Sequence, residues 1–554
     1  MEKGADCFLP DRAASWEGGT ALNRASATGT GPQTHRQPEM PTFPEKRYSI
    51  LEFGAVGDGA TMNTEAVNRA IETCSSEGGG TVVIPPGIWL TGPIRLQSGV
   101  NLHAQQGALV LFSRNFDDYP LIPTSYEGIR TVRCMSNLYG ENLTDVAITG
   151  EGIFDGSGDA WRPVKRMKMT EHQWKALTSS GGVTDPTGRM WWPTEKAMQG
   201  ASTAKRLLAE GERRTEAFEE ARDFLRPALL QLDRCTRVLL DGPTFQNSPS
   251  WCLHPWLCEH VTVRNVHVKN PWYSQNGDGL DLDSCRYVDV SDSRFDVGDD
   301  AICIKSGKDA DGRELGVPCQ DIVIRGCVVY HGHGGFVIGS EMSGGVRNVS
   351  ISDCLFIGTD SGLRFKSARG RGGVVEKIRI RNIRMTGIPK AAITFSMFYG
   401  HGGADRPAAE EVSAKTPAFR DFQIEHIRCI GAHRAIELKG LPEMPVENIR
   451  FEHIDIKATK GISLENARDV RFADVSVTPM EGPLFSLQAC SDIRIERTKR
   501  PAAGQLYMEA GGAETSGIEI RGIAGEAYEV NGARETDASQ IRIYPEEARE
   551  SHDD

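Results

Sequence analysis

The chain has 554 residues, a formal net charge of -12 and 39% hydrophobic residues, long and apolar enough for a large core and outside the composition of disordered chains. The acidic balance excludes nucleic acid as a partner, since phosphates require a basic face. No apolar run reaches the roughly 20 residues that span a bilayer, so no membrane partner is expected. The first forty residues lack the basic start, apolar middle and small-residue cleavage site of a signal peptide, so the reading is cytoplasmic.

Residues 1–45 carry Gly, Ala, Thr, Pro and Gln without periodicity and read as a loose leader. From Ile50, a strand and a Gly-rich turn precede TEAVNRAIETCSS, a helix that Asn63 or Thr64 can cap. Gly54, Gly57 and Gly59 lie between strand and helix, but their spacing is not the dinucleotide one, and no strand–helix alternation follows. No cofactor is expected. The helix instead suits the open end of a solenoid, where a terminal unit must cover the core.

GGGTVVIPPGIWLTGPIRLQSGVNLHAQQGALVLF then alternates short apolar strands with Gly and Pro turns. Residues 159–232 break this pattern with charged, helix-prone segments and read as a helical insertion, which in a repeat fold lands on one face. Within it, Trp191 and Trp192 either pack the insertion onto the body, the favoured reading, or stack on sugar rings. After Leu232 apolar clusters recur, beginning near Val261, Tyr287, Ile322, Asn348 and Lys377, with no helix long enough for a crossover. The expected fold is all-β, a right-handed parallel β-helix with an N-terminal capping helix, forming one catalytic domain over 46–540. A β-propeller is the rival on periodicity, but it needs four strands per unit. Residues 541–554 read as a polar tail. The thirteen cysteines form no CxxC pair and suit reduced, buried thiols, with Cys285, Cys303, Cys327 and Cys354 as an internal stack; no metal is expected.

The residues able to do chemistry gather between Asn276 and Lys366. Asp278 and Asp299 are 21 residues apart, about one coil, so Asp278 can meet the pair Asp299–Asp300. Consecutive residues on a strand face opposite ways, and Gly298 allows a bend that brings both acids to one cleft. Three close carboxyls cannot all ionise freely, so one is held protonated. Such a set suits hydrolysis of a glycosidic bond, where one carboxyl protonates the leaving oxygen and another activates water or attacks the anomeric carbon. Arg364 and Lys366 share a strand face and suit a carboxylate, pointing to an acidic oligosaccharide or polysaccharide. His333, within Gly-His-Gly, can tune the nearby acid.

The clusters Asn276-Gly277-Asp278, Gly298-Asp299-Asp300, Gly332-His333-Gly334 and Arg364-Phe365-Lys366 resemble the four motifs of the family 28 glycoside hydrolases, the polygalacturonase family. FGAVGDG and GGGTVVIPPGIWLTGPI extend the likeness to roughly residues 48–500. The resemblance implies an inverting hydrolase without metal or cofactor, acting on galacturonan. It makes Asp299 the general acid, with Asp278 and Asp300 activating water, His333 supporting the acid, and Asn276, Arg364 and Lys366 binding substrate. Gly277 stands where that family usually has Thr, and Phe365 where it usually has Ile. His331 is a second histidine beside the site. NGDGLDLDSC and GSEMSGG are similar to exo-acting members, and an insertion that walls one end of the cleft agrees. A rhamnogalacturonan hydrolase, a Ca²⁺-dependent pectate lyase and a non-catalytic sugar-binding β-helix are the alternatives.

Overall fold

In the computed structural model, residues 35–400, 408–498, 506–523, 530–532 and 538–545 are described. Their short strands pair in parallel with strands one coil away, building a right-handed parallel β-helix with three faces. The first sheet, which carries the chemistry, includes β1 (Leu253–Trp256), β2 (Leu280–Asp283), β3 (Asp300–Lys305), β4 (Gly334–Ile338) and β5 (Ser361–Lys366). Beyond Val374, strands such as Val374–Ser396 and Ala418–Lys439 run continuously through the corners.

The repeat has a simple origin. Val261, Val288, Ile322, Val349 and Ile378 align across the second sheet and are all buried, so one apolar position per coil stacks on the next. Tyr287, Asn348 and Lys377 lie one residue before this stack, at corners with φ of 56, 55 and 58°. Asp and Asn tolerate this left-handed backbone best, and Asp321, Asp421 and Asn448 hold the same corner of other coils.

Helix α1 (Thr64–Ser76) buries Ala66, Val67, Ala70, Ile71 and Cys74 in the core. Asn63 occupies the cap position but makes no capping hydrogen bond; its side chain turns into the Gly-rich segment, accepting from Val56 N at 2.7 Å and donating to Thr61 O at 2.7 Å. The twelve described cysteines are buried and none is in a disulfide. Their stack agrees with the expected one only in part, since Cys327 and Cys354 are hydrogen-bonded neighbours while Cys285 and Cys303 are placed elsewhere. Cys235 N donates to Cys258 Sγ and Cys285 N to Cys319 Sγ at the corner after the first sheet, whereas Cys303 lies on β3 with its thiol on Gly339 O.

Leader residues 1–34 and tail residues 546–554 lie outside the described residues. Within the expected leader, Glu39 N donates to His260 Nδ1 and Arg36 lies 5.2 Å from the Tyr287 ring, so 35–45 runs along the body. Within the expected tail, Ile541–Pro545 forms a strand paired with Ile518–Ile523. The insertion holds α2 (Glu171–Ser179) and α3 (Glu195–Ala209) and ends before Leu230 and not at 232, because Leu230–Asp233 pairs with Leu138–Glu141 and β1 and buries Leu230 and Leu232. Trp191 is buried and donates to Gly181 O, and Trp192 packs near Phe224, so this pair serves packing. An antiparallel hairpin, Leu121–Tyr126 with Ile129–Cys134, is a further elaboration. No helix among the described residues is long and apolar enough to cross a membrane.

Candidate active site

The register brings the acids together. Gly279 N donates to Asp300 O at 2.9 Å, which sets Asp278 one coil from Asp300. One oxygen of each of Asp278, Asp299 and Asp300 lies within 4.8 Å of the others. Asp299 belongs to the bend before β3 and only Asp300 is on the strand, which is how consecutive acids share a face. Gly298 contributes space and not an unusual φ: a Cβ there would lie 2.3 Å from Ser274 Oγ and 2.5 Å from Pro271 O. Gly277 has the same cause, since its Cβ would meet Ser274 Oγ at 1.8 Å. The departures from the expected motif are thus packing adjustments. Phe365 is another, buried 4.4 Å from Phe395 and 5.0 Å from Phe422.

Arg364 and Lys366 do project together, and both reach Asp300. Lys366 Nζ is 2.7 Å from Oδ2 and Arg364 Nη1 3.1 Å from Oδ1. Tyr399, absent from the sequence reading, lies 4.7 Å from Lys366 Nζ and 5.8 Å from the Arg364 guanidinium. His333 Nδ1 lies 2.9 Å from Asp299 Oδ1. On its other side, Lys168 Nζ is 3.3 Å from His333 Nε2 and donates to Gly298 O at 3.2 Å. A charged Lys168 has only donors, so Nε2 accepts and the proton sits on Nδ1, directed at Asp299. His331 is exposed and pairs instead with Asp296 at 2.8 Å.

Lys168 belongs to the short Arg166–Lys168 turn of the insertion, and nothing in its local sequence marks it. Two buried arginines fix the insertion here. Arg162 Nη2 donates to Asn247 Oδ1 at 2.8 Å. Arg226 donates to Gln275 O and, through Nη2, to Asn276 Oδ1, both at 2.8 Å. The Asn276 side-chain oxygen, expected to serve substrate, is therefore held by Arg226.

A buried ionic layer continues along the first sheet. Lys305 Nζ is 3.5 Å from Asp281 Oδ1, 3.2 Å from Glu341 Oε2 and 4.7 Å from the Trp251 ring, which stands 4.7 Å from Tyr126 of the hairpin. The alternation GLDLD and ICIK offered a signal for this layer, since polar residues recur at one parity of otherwise apolar strands.

Burial, reinforced by the neighbouring charges of Asp299 and Asp281, pushes the Asp278 carboxyl well above the usual carboxylate range. Burial likewise raises Asp281 to about 7 against the attraction of Lys305. Burial opposes ionisation of Asp300, but Lys366, Arg364 and Lys305 outweigh it and hold Asp300 well below that range. Asp299 is also lowered, because the hydrogen bond from His333 overcomes its burial. The surroundings thus favour the neutral form at Asp278 and the ionised form at Asp299 and Asp300. Asp278 and Asp299 perturb each other, so the proton belongs to the pair. Asp299 is the most accessible of the three acids, with 17% of its side chain exposed against 1% for Asp300.

An accessible acid beside two buried carboxyls, on a parallel β-helix, suits the acid–base chemistry of a glycosidase. The sequence profile of Glycosyl hydrolases family 28 matches residues 165–472, and a profile described as rhamnogalacturonase A/epimerase, pectate lyase-like matches 48–108. The chain belongs to glycosyl hydrolase family 28 and is a glycosidase. It is 29% identical to a probable polygalacturonase of Vitis vinifera, over 78% of this chain and 79% of that protein. It is 27% identical to an exo-poly-alpha-D-galacturonosidase of Dickeya chrysanthemi, over 77% of this chain and 69% of that one. The crystal structure of a hyperthermoactive exopolygalacturonase from Thermotoga maritima superposes with a TM-score of 0.64 and 32% identity, covering 80% of this chain and 90% of that chain.

Proposed function

We propose that the protein hydrolyses α-1,4-galacturonosidic bonds in pectic galacturonides, releasing sugar from chain ends with inversion. The observation that carries this reading is the convergence of Asp278, Asp299 and Asp300 beside Arg364 and Lys366, a carboxyl set flanked by cations suited to an anionic sugar. Asp299 serves as general acid, because it is the acid a substrate can touch and His333 orients it. A leaving oxygen seated on Asp299 draws the shared proton to that carboxyl and leaves Asp278 ionised. Asp278 and Asp300 then take the proton of a water that attacks the anomeric carbon.

The oxygens lie within 4.8 Å, closer than the roughly 6.5 to 9.5 Å carboxyl separation usual for inversion. Burial argues for inversion nevertheless. A nucleophile must contact the anomeric carbon, yet Asp278 is buried and both Asp300 oxygens are engaged by cations, so a water fits better than a covalent bond. Exo-action is supported by the insertion, which brings Lys168 onto His333 at one side of the site, and by the similarity to exo-acting relatives. The short match at 48–108 favours rhamnogalacturonan as the second substrate to try.

Digalacturonate to hexagalacturonate, incubated with chelator, test the reading by product analysis and by NMR of the first anomer formed. Saturated monogalacturonate of inverted configuration from the outset, with turnover lost and binding kept in Asp299→Asn, is the expected result. Unsaturated products or chelator sensitivity identify a lyase, binding without turnover a lectin-like role, and either outcome overturns the proposal.

A further inference from the structure

A pocket of about 620 Å³ is lined by Gln246, Lys269, Asn270, Trp272, Asp296 and His331, among others. Its polar row follows from the register, since Gln246 pairs with Lys269, Lys269 with Asp296 and Asp296 with His331 on successive coils of the third sheet. Chain connectivity ties it to the catalytic centre. Asp296 precedes Asp299 by three residues, His331 precedes His333 by two, and Asn270 Nδ2 donates to Gly277 O at 3.2 Å.

Two lining groups face solvent, although Trp272 also meets Tyr273 edge-on at 5.8 Å. Trp272 leaves half of its surface exposed, 50%, although a large aromatic ring gains from burial. Lys269 is exposed and makes no ion pair among the described residues, because Asp296 is engaged by His331. An aromatic platform stacks on the apolar face of a sugar ring, and a lone ammonium in the same pocket selects a carboxylate. Gln246 and Asn247 add amide groups for hydroxyls.

We propose that this pocket is an accessory binding site for a uronic-acid unit, with the sugar ring on Trp272 and its carboxylate on Lys269. The inference rests on the galacturonan reading of the catalytic centre and extends it to a second site that holds substrate beside the reacting one. Neutral galacto-oligosaccharides lack the carboxylate and bind there poorly.

The test uses the full-length Asp299→Asn protein titrated calorimetrically with saturated trigalacturonate, and the same protein carrying Lys269→Ala or Trp272→Ala. Two binding events are expected, one weakened at least about tenfold by either added substitution, as loss of a charge-assisted contact implies; neutral galactotriose gives no such event. Lys269→Ala and Trp272→Ala in the otherwise native enzyme leave kcat on digalacturonate unchanged. A single event insensitive to both substitutions, alongside normal hydrolysis, overturns the accessory site and leaves the catalytic reading standing. Equal binding of the neutral trisaccharide also overturns it. Neither turnover nor binding of galacturonides removes the catalytic reading, and this inference with it.

Discussion

Lys366→Met tests whether the protein itself holds Asp300 ionised. Lys366 Nζ lies 2.7 Å from Asp300 Oδ2 and both side chains are buried. At an effective dielectric constant of about 20 that separation is worth at most about 6 kcal/mol. Arg364, 3.1 Å from the other oxygen, and water entering beside Met recover part of this, leaving the roughly 3 to 5 kcal/mol typical of a broken buried pair. About 3 kcal/mol corresponds to roughly two pH units of proton affinity. The depressed Asp300 carboxyl contributes stability above the unfolded carboxylate pKa, and that contribution is lost as pH falls through its folded value. The melting-temperature deficit of the variant is therefore widest near neutrality and narrows below about pH 4. Because Asp300 must be ionised to accept a proton, the acidic limb of the kcat profile on digalacturonate moves to higher pH. Calorimetric melts from about pH 2 to 8, spanning the range below the unfolded carboxylate pKa, and steady-state rates over the part of that range where the enzyme is folded provide the assay. A melting deficit equal at every pH, or an acidic limb that does not move, refutes the reasoning.

Lys168→Met removes the cation 3.3 Å from His333 Nε2; kcat is expected to fall about 10- to 100-fold, the worth of a hydrogen bond to a charged group, with a displaced pH profile and partial recovery in Lys168→Arg. An unchanged profile assigns Lys168 to structure alone. Asp281→Asn addresses the raised carboxyl beneath the site. Its stability contribution is complete below the unfolded pKa and lost as pH rises through about 7. Asn is therefore expected to raise the melting temperature at pH 8, by at most about 4 kcal/mol of stability, and to make little difference at pH 4, while Glu341 keeps Lys305 paired. Equal shifts at both pH values count against that assignment.

Repetition made much of the molecule readable in advance. One buried apolar residue per coil marks the core, and the first three polar clusters stack because each stands at the same point of its own coil, whereas Arg364 and Lys366 lie further along their strand, Arg364 opposite Val337. Lys168 was hidden for the opposite reason: it reaches His333 through the folding of a non-repeating insertion, 165 residues away in sequence. Gly298 sits in the bend the sequence predicts, yet what excludes a side chain there is the close approach of Ser274 and Pro271, which only three-dimensional packing reveals. The raised Asp278 carboxyl reflects burial that nearby cations do not outweigh, whereas Lys366 and Arg364 reach the still more buried Asp300, and a row of acids in a sequence does not show which of them the cations touch. Cys303 escaped its expected stack because β3 turns it outward toward Gly339 O, a matter of strand parity at one position.

The insertion's place in the coil has a consequence for chain entropy. Leu253 pairs with Leu230, 23 residues earlier, whereas Leu230 pairs with Leu138 across 92 residues. Loop closure grows only with the logarithm of length, about 0.6 kcal/mol per doubling, so this fourfold longer excursion costs about 1.2 kcal/mol more than an ordinary coil. The β-helix can thus carry two helices and a short sheet at one junction for less than the worth of a single buried leucine. Chimeras that exchange residues between 159 and 229 for a different excursion are accordingly expected to keep the coil register, so that the roof over the acids can change while the floor stays in place.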